Sequence, residues 1–301
     1  MAPAPANRDD LKTRILPQMT LSEGSNPLTS PFPPLPKDLL PAEKAIRRFA
    51  VEGNAIVTGG AGVLGLEAAR ALLEHGAKGV SLFDVNPAQS QDAIDAVRSE
   101  FPSAKIIAKK VDVRDEQSVQ NAVDESAEEL GSVDVLLCFA GVVSCNHALD
   151  VALDEWRRTL DINTTGSWIC AQAVARCMIR QGHGGSIVFT ASISAHSVNF
   201  PQPQVSYNVS KGALLQLKNS LAAEWARYGI RVNSISPGYM DTILNEGEGL
   251  EEARRMWASR NPVGRMGQPS ELTGAVVLLC SRAGRYINGA DILVDGGGSV
   301  F

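Results

Sequence analysis

The chain has 301 residues, 44% hydrophobic and 20% charged, an ordinary globular balance that can bury one large core. A net charge of -5 and the lack of any basic tract exclude a general affinity for nucleic acid or anionic membranes. No apolar run reaches the roughly 18 residues of a membrane span, and the N-terminus lacks the charged-then-apolar layout of a secretory signal.

Five cysteines, Cys138, Cys145, Cys170, Cys177 and Cys280, form no C-x-x-C pair and predict reduced thiols in a soluble cytoplasmic protein, with no metal site. Residues 1–48 read as a Pro-rich N-terminal extension, holding nine of the 16 prolines and densest at Pro31-Phe32-Pro33-Pro34-Leu35-Pro36. Such composition predicts an extended, poorly packed segment, or else an arm laid on the domain or on a neighbouring subunit. Arg8, Lys12 and Arg14 stand beside Asp9 and Asp10, which argues against an organelle transit peptide.

From Asn54 the texture changes to short apolar runs alternating with amphipathic segments, the pattern of parallel strands joined by crossover helices. Strands are predicted at Ala55–Thr58, Val80–Asp84, Lys105–Val111, Val133–Phe139, Ser186–Thr190, Arg231–Ile235 and Ile292–Val294. Helices are predicted near Leu64–His75, Gln89–Ser99, Glu116–Leu130, Leu153–Arg180, Ser206–Tyr228 and Pro269–Cys280. The expectation is α/β: a single doubly wound Rossmann-type parallel sheet of about seven strands over residues 49–301, with helices on both faces.

The first strand runs into Thr58-Gly59-Gly60-Ala61-Gly62-Val63-Leu64-Gly65 and then a segment of good helix formers. Glycines there let backbone approach a pyrophosphate, whose charge suits the N–H groups and positive dipole of a helix start. Asp84 ends the second strand, where a carboxylate can accept hydrogen bonds from adenosine ribose hydroxyls and repel a 2′-phosphate. No Arg or Lys lies in the glycine loop or in Val85-Asn86, so NAD is expected rather than NADP. The bland reading of Asp84 is a cap on the following helix.

Ser206-Tyr207-Asn208-Val209-Ser210-Lys211 opens another helical segment, with a phenol and an ammonium four positions apart and so on one face. A cation beside the Tyr207 oxygen would pull its pKa down from about 10 and make it a general acid/base.

Together these residues resemble the short-chain dehydrogenase/reductase family, in order from about Asn54 to Gly297. Thr58 to Gly65 is similar to its cofactor loop, placing Gly59, Gly62, Val63, Leu64 and Gly65 against the dinucleotide. Asp112-Val113 resembles its adenine-contacting pair, and Ala140-Gly141 the end of its segment after strand four. The resemblance implies Ser192, Tyr207, Lys211 and Asn163 as catalytic residues. Tyr207 would carry the proton, and Lys211 would lower its pKa and hold the nicotinamide ribose. Ser192 would bond the reacting oxygen, and Asn163 would hold a water linking Lys211 to solvent. Pro237, Gly238 and Thr242 resemble the loop that contacts the nicotinamide, and Gly289 to Gly297 the closing strand and turn. Two positions depart from the family pattern: Val63 replaces its middle glycine, and Cys138-Phe139 replaces two asparagines after strand four.

Between Ser192 and Tyr207 lies His196-Ser197-Val198-Asn199-Phe200-Pro201-Gln202-Pro203-Gln204, which offers amides, imidazole and hydroxyl rather than an apolar wall. With Asn146 and His147 this predicts recognition of several hydroxyl groups, with Ser194, His147, Asn199 and Gln202 as substrate-binding candidates. The run also resembles sugar-alcohol members of the family, so the expected activity is hydride transfer between a polyol and a ketose. Alternatives are a ketoreductase for apolar oxo substrates and a non-catalytic NAD-binding regulator. Ser194 is the runner-up for the catalytic serine. A lid is expected over Tyr239–Met256, and the resemblance implies a homodimer or homotetramer.

Overall fold

Every residue of β1 (Asn54–Thr58) and β4 (Val135–Cys138) is buried, the state that favours continuous apolar runs in a sheet covered on both faces. Along β1 the side chains alternate: Ile56 enters one core, Ala55 and Val57 the other. The computed structural model describes residues 15–242, 245 and 247–300. The basic and acidic residues weighed for a transit peptide lie outside that range.

All strand pairings are parallel. The seven strands are completed by β2 (Gly79–Asp84), β3 (Lys105–Lys110), β5 (Gly185–Thr190), β6 (Ile230–Pro237) and β7 (Asp291–Val294), in the order β3-β2-β1-β4-β5-β6-β7. One face packs on α2 (Val63–Glu74), α3 (Gln91–Glu100) and α9 (Thr273–Cys280). The other packs on α4 (Glu116–Leu130), α6 (Gly166–Gln181) and α7 (Val205–Trp225). Burying each large aliphatic side chain contributes roughly 1.5–3 kcal/mol against the chain entropy lost. Helix ends follow local chemistry: Asp115 accepts the Ser118 N–H at 3.0 Å to open α4, and Gly131, at φ 87°, closes it.

The edge strand β3 carries Lys105, Lys109 and Lys110, charges that discourage pairing with another chain. Lys109 is held at 2.8 Å by both Glu125 and Glu129 of α4.

The segment read as one helix over 153–180 is α5 (Leu153–Leu160) and α6, joined by a five-residue π-helical turn, Asp161–Thr165. Such turns concentrate at functional sites, and this one carries Asn163.

Where it is described, the extension is largely exposed, as expected, but it is tied to the domain at a few points. Asn26 donates to the Arg227 carbonyl at 2.7 Å, and the guanidiniums of Arg285 and Arg282 lie 3.5 and 4.7 Å from the Phe32 ring centroid. Arg282 also donates to the Pro33 carbonyl. This clasp lies across the amino-terminal ends of the strands and borders a cavity of about 730 Å³ lined by Leu28, Phe32, Arg231 and Arg285. Composition alone could not reveal it, because the partners are about 250 residues further along the chain. A short helix not expected from the sequence, α1 (Pro41–Arg48), follows, with Pro41 at its start.

At the other end of the sheet, Thr58 pairs with Phe83 and Cys138, Cys138 with Phe189, and Phe189 with Ser234. The carboxyl ends of five adjacent strands therefore form one edge. Strand order reverses between β1 and β4, which opens the crevice where ligands bind in doubly wound sheets.

Candidate active site

The glycine loop crosses this edge at close quarters. Gly59 has φ 63°, and a Cβ there would fall 2.7 Å from the Ala140 nitrogen. A Cβ on Gly65 would fall 2.3 Å from the Gly59 carbonyl oxygen. Only hydrogen at these positions lets the turn close. Gly62 precedes α2 without any side-chain cap, leaving the N–H groups of Val63, Leu64 and Gly65 to meet an anion. Val63 is the first helical residue and 47% exposed, so a β-branched residue in place of the family's glycine creates no backbone strain. These features fit a dinucleotide.

Asp84 is drawn against this loop: its carboxylate accepts the Ala61 N–H at 3.3 Å and the Asn86 N–H at 3.1 Å. The second bond holds the backbone at Asn86, just ahead of the turn Pro87–Ser90, and neither bond reaches an N–H of that turn. Arg114 takes the Asp112 carboxylate at 2.6 Å and holds its pKa below the usual range. An adenine contact by that side chain would compete with the ion pair. Val113 is buried, with its Cγ2 only 2.6 Å from where a Cβ on Gly166 would sit.

The asparagine missing after β4 is replaced from two sides. The Phe139 N–H donates to the Thr58 carbonyl and the Ala140 N–H to the Thr58 hydroxyl. Asn163 then takes over the next residues: its Oδ1 accepts the Val142 N–H at 2.8 Å, and its Nδ2 donates to the Val142 carbonyl and to Ser210 Oγ, each at 2.9 Å. Both ends of the side-chain amide are thus engaged in shaping the turn after Gly141, and the backbone carbonyl of Asn163 accepts from the Ser167 hydroxyl. Asn163 therefore positions the turn after Gly141.

Tyr207 is the third residue of α7, with Lys211 one turn on. Lys211 Nζ donates to the Thr190 carbonyl at 2.7 Å and lies 5.6 Å from the Tyr207 ring centroid. The expected lowering of the Tyr207 pKa is absent in the free protein. Burial raises it, with the neighbouring Ser192 hydroxyl opposing and the Tyr239 phenol adding. Burial also pushes Lys211 down to about 8, which weakens the charge it was expected to supply. Ser192 accepts the Ser194 N–H at 3.1 Å and donates to Ser194 Oγ at 3.0 Å, so both candidate serines stand together. Thr190 Oγ1, buried beside the Lys211 contact, has no partner among the described residues.

Pro237 ends β6 opposite Val294, and Gly238 donates its N–H to the Val294 carbonyl at 3.0 Å. Thr242 is buried four residues on. Of the stretch expected as a lid, Tyr239–Met256, residues 243, 244 and 246 lie outside the described residues; its end enters α8 (Glu251–Ser259), where Arg254 donates to the Asn245 carbonyl and to Asp241.

The substrate candidates fall differently. His147 lies on an exposed loop and makes no side-chain hydrogen bond among the described residues. Asn199 and Gln202 were expected to face substrate, yet both donate to the Tyr239 hydroxyl at 3.0 Å. Glu155, not anticipated from the sequence, accepts from Ser144 and Asn146, and Ser144 accepts from Ser206 beside the tyrosine. No motif marks Glu155, since its partners Ser144 and Asn146 lie on the loop after β4 and it reaches Ser206 only through Ser144.

A glycine cradle at a switch point, with a phenol, an ammonium and a serine hydroxyl at the adjacent strand ends, defines a dinucleotide-dependent oxidoreductase. The family model described as Enoyl-(Acyl carrier protein) reductase matches residues 59–299. The NADP-dependent mannitol dehydrogenase of Hypocrea jecorina is 36% identical, covering 87% of this chain and 98% of that one. The D-arabinitol 2-dehydrogenase [ribulose-forming] of Candida tropicalis is 34% identical over 85% and 95%. The crystal structure of a short-chain type dehydrogenase/reductase from Mycobacterium marinum superposes with a TM-score of 0.79 at 38% identity, covering 84% of this chain and 98% of that one. The chain belongs to the short-chain dehydrogenase/reductase family and is an oxidoreductase acting on CH–OH groups with a nicotinamide cofactor.

Proposed function

We propose that the protein interconverts a polyol and its ketose and prefers NAD to NADP. The observation that carries the substrate reading is the set of polar side chains beyond Tyr207, Ser194 beside Ser192 and, as a second group, Asn199 and Gln202 on the Tyr239 hydroxyl. The names of the relatives, a mannitol dehydrogenase and an arabinitol dehydrogenase, support it. The NAD preference rests on Asp84, held at the glycine loop where a 2′-phosphate would meet its charge. Several relatives are named NADP-dependent, so cofactor choice is a point on which this chain is expected to differ from them.

When bound, the nicotinamide ring supplies the hydride acceptor or donor. In oxidation the Tyr207 phenolate takes the proton of the substrate hydroxyl; in reduction the Tyr207 phenol returns a proton to the carbonyl oxygen. Ser192 Oγ is placed to donate to that same oxygen as charge develops. Lys211 would hold the cofactor ribose with the donor positions not used by Thr190. Asn163 keeps the turn after Gly141 open to the ring.

The reading includes a cytoplasmic location and assembly into a homodimer or homotetramer. Unpaired thiols on the described cysteines support the first. Stacked Trp168 and Trp225, each only partly buried on α6 and α7, support the second.

The test is a panel of pentitols, hexitols and apolar secondary alcohols assayed with NAD and with NADP. Best turnover of a polyol with NAD is expected. Preference for an apolar alcohol, or cofactor binding with no turnover, would transfer the assignment to a ketoreductase or a regulator. Asp84→Ala should raise the NADP/NAD ratio of kcat/KM; an unchanged ratio would reduce Asp84 to a loop tie.

A further inference from the structure

No motif singles out Tyr239, yet three side chains, Asn199, Gln202 and Trp257, are joined around it. Asn199 Nδ2 and Gln202 Nε2 both donate to its hydroxyl oxygen at 3.0 Å. Its ring lies parallel to that of Trp257, centroids 4.3 Å apart and planes 6° off. Trp257 Nε1 donates to Gln202 Oε1 at 3.1 Å. Because indole N–H is a donor only, this last bond fixes which way the Gln202 amide faces.

The consequence concerns one proton. A phenol has a single O–H, and amide nitrogens cannot accept it. With two donors already on its oxygen, Tyr239 has no protein acceptor for its own hydrogen among the described residues. The phenol is near enough to Tyr207 to raise the pKa of the proton carrier, and it also senses Cys145 on the loop after β4. Tyr239 lines a cavity of about 280 Å³ together with Ile193, the neighbour of Ser192, and with Asn199 and Trp257, held there by aromatic stacking on α8 and by two amides of the loop before α7.

We propose that Tyr239 is a specificity-determining residue whose hydroxyl donates to a substrate oxygen on a carbon other than the one oxidised. This rests on the polyol reading and deepens it: the substrate must carry a second oxygen within reach of a donor fixed across the cleft from Tyr207. Asn199 and Gln202 then act through Tyr239 rather than by touching substrate. A monofunctional alcohol leaves the phenol proton unpaired, which disfavours it relative to a polyol.

The test uses the full-length enzyme and Tyr239→Phe, which keeps the ring against Trp257 and removes only the hydroxyl. The readout is kcat/KM for the best pentitol or hexitol divided by kcat/KM for 2-butanol. The ratio should fall about tenfold, through KM of the polyol. An unchanged ratio with the polyol still turned over overturns the role of Tyr239 and leaves the polyol reading standing. Wild-type turnover of 2-butanol with no polyol turnover removes both. Asn199→Ala separates recognition from loop anchoring, because it loosens the loop but keeps the hydroxyl. An equal fall in that variant would assign the effect to anchoring and overturn the proposal.

Discussion

Lys211 Nζ is bonded to the carbonyl oxygen of Thr190, 2.7 Å away at the end of β5. The ammonium is thus tied to the sheet rather than to the phenol it was expected to acidify. Buried lysine charge is costly unless compensated, and one carbonyl compensates it only in part. In the free protein the Tyr207 and Lys211 pair is therefore held short of its working charge state, with the phenol harder to ionise and the amine easier to neutralise.

That strain has a pH signature. Lys211 falls to about 8 in the folded protein from 10.5. Below about pH 8 both folded and unfolded chains carry the charge, and the folded state bears the full burial penalty. Between about 8 and 10.5 the folded lysine is neutral while the unfolded one is still charged, so the penalty shrinks as pH rises. Lys211→Met should be more stable than the wild type near pH 7 by an amount of up to about 3 kcal/mol. The gap should narrow by pH 10, measured by urea unfolding at both pH values. A gap that does not depend on pH would mean that the burial penalty is not what separates the two proteins.

Tyr207→Phe removes the only proton carrier proposed. Turnover should drop by about 100- to 10,000-fold in both directions, while cofactor affinity, read by fluorescence titration, is nearly kept. Because burial raises the Tyr207 pKa in the free protein, wild-type alcohol oxidation should climb as pH rises above neutral. Substantial residual activity in the variant would place the proton transfer elsewhere.

Gly65→Ala puts a methyl group 2.3 Å from the Gly59 carbonyl oxygen, a backbone atom that cannot rotate away. Gly62→Ala meets the same oxygen at 3.2 Å, where a small adjustment suffices. Cofactor affinity should fall about tenfold or more in the first variant and much less in the second, since overpacking costs about 1–3 kcal/mol. Isothermal titration with NAD would compare them; equal affinities would mean that the loop does not cradle the dinucleotide.

Phe32→Ala removes the ring under the guanidiniums of Arg285 and Arg282. Each such contact stabilises by about 0.5–2 kcal/mol, so the melting temperature should fall by a few degrees and protease should cleave more readily between residues 15 and 40. Turnover should stay at the wild-type level, because the clasp lies at the opposite end of the sheet from Tyr207. Unaltered cleavage would show that other contacts hold the extension.

The strand and helix order, the glycine turn and the Tyr207 and Lys211 spacing were legible along the chain, because each depends on periodicity or on neighbours within one helical turn. The positions of β1, β2 and β5 are read to within a residue or so, since both of their faces must be apolar. What Tyr239 does could be decided only by tertiary structure. Its meaning comes from Asn199, Gln202 and Trp257, which lie 40, 37 and 18 positions away and carry no common pattern. The same holds for Asn163, whose amide is taken by Val142 and Ser210, and for the arm clasped by Arg282 and Arg285. Sequence specifies which groups are present and the local geometry that backbone propensity imposes. Hydrogen-bond partners and desolvation are set by groups brought together from distant segments, and those decide which groups remain free to do chemistry.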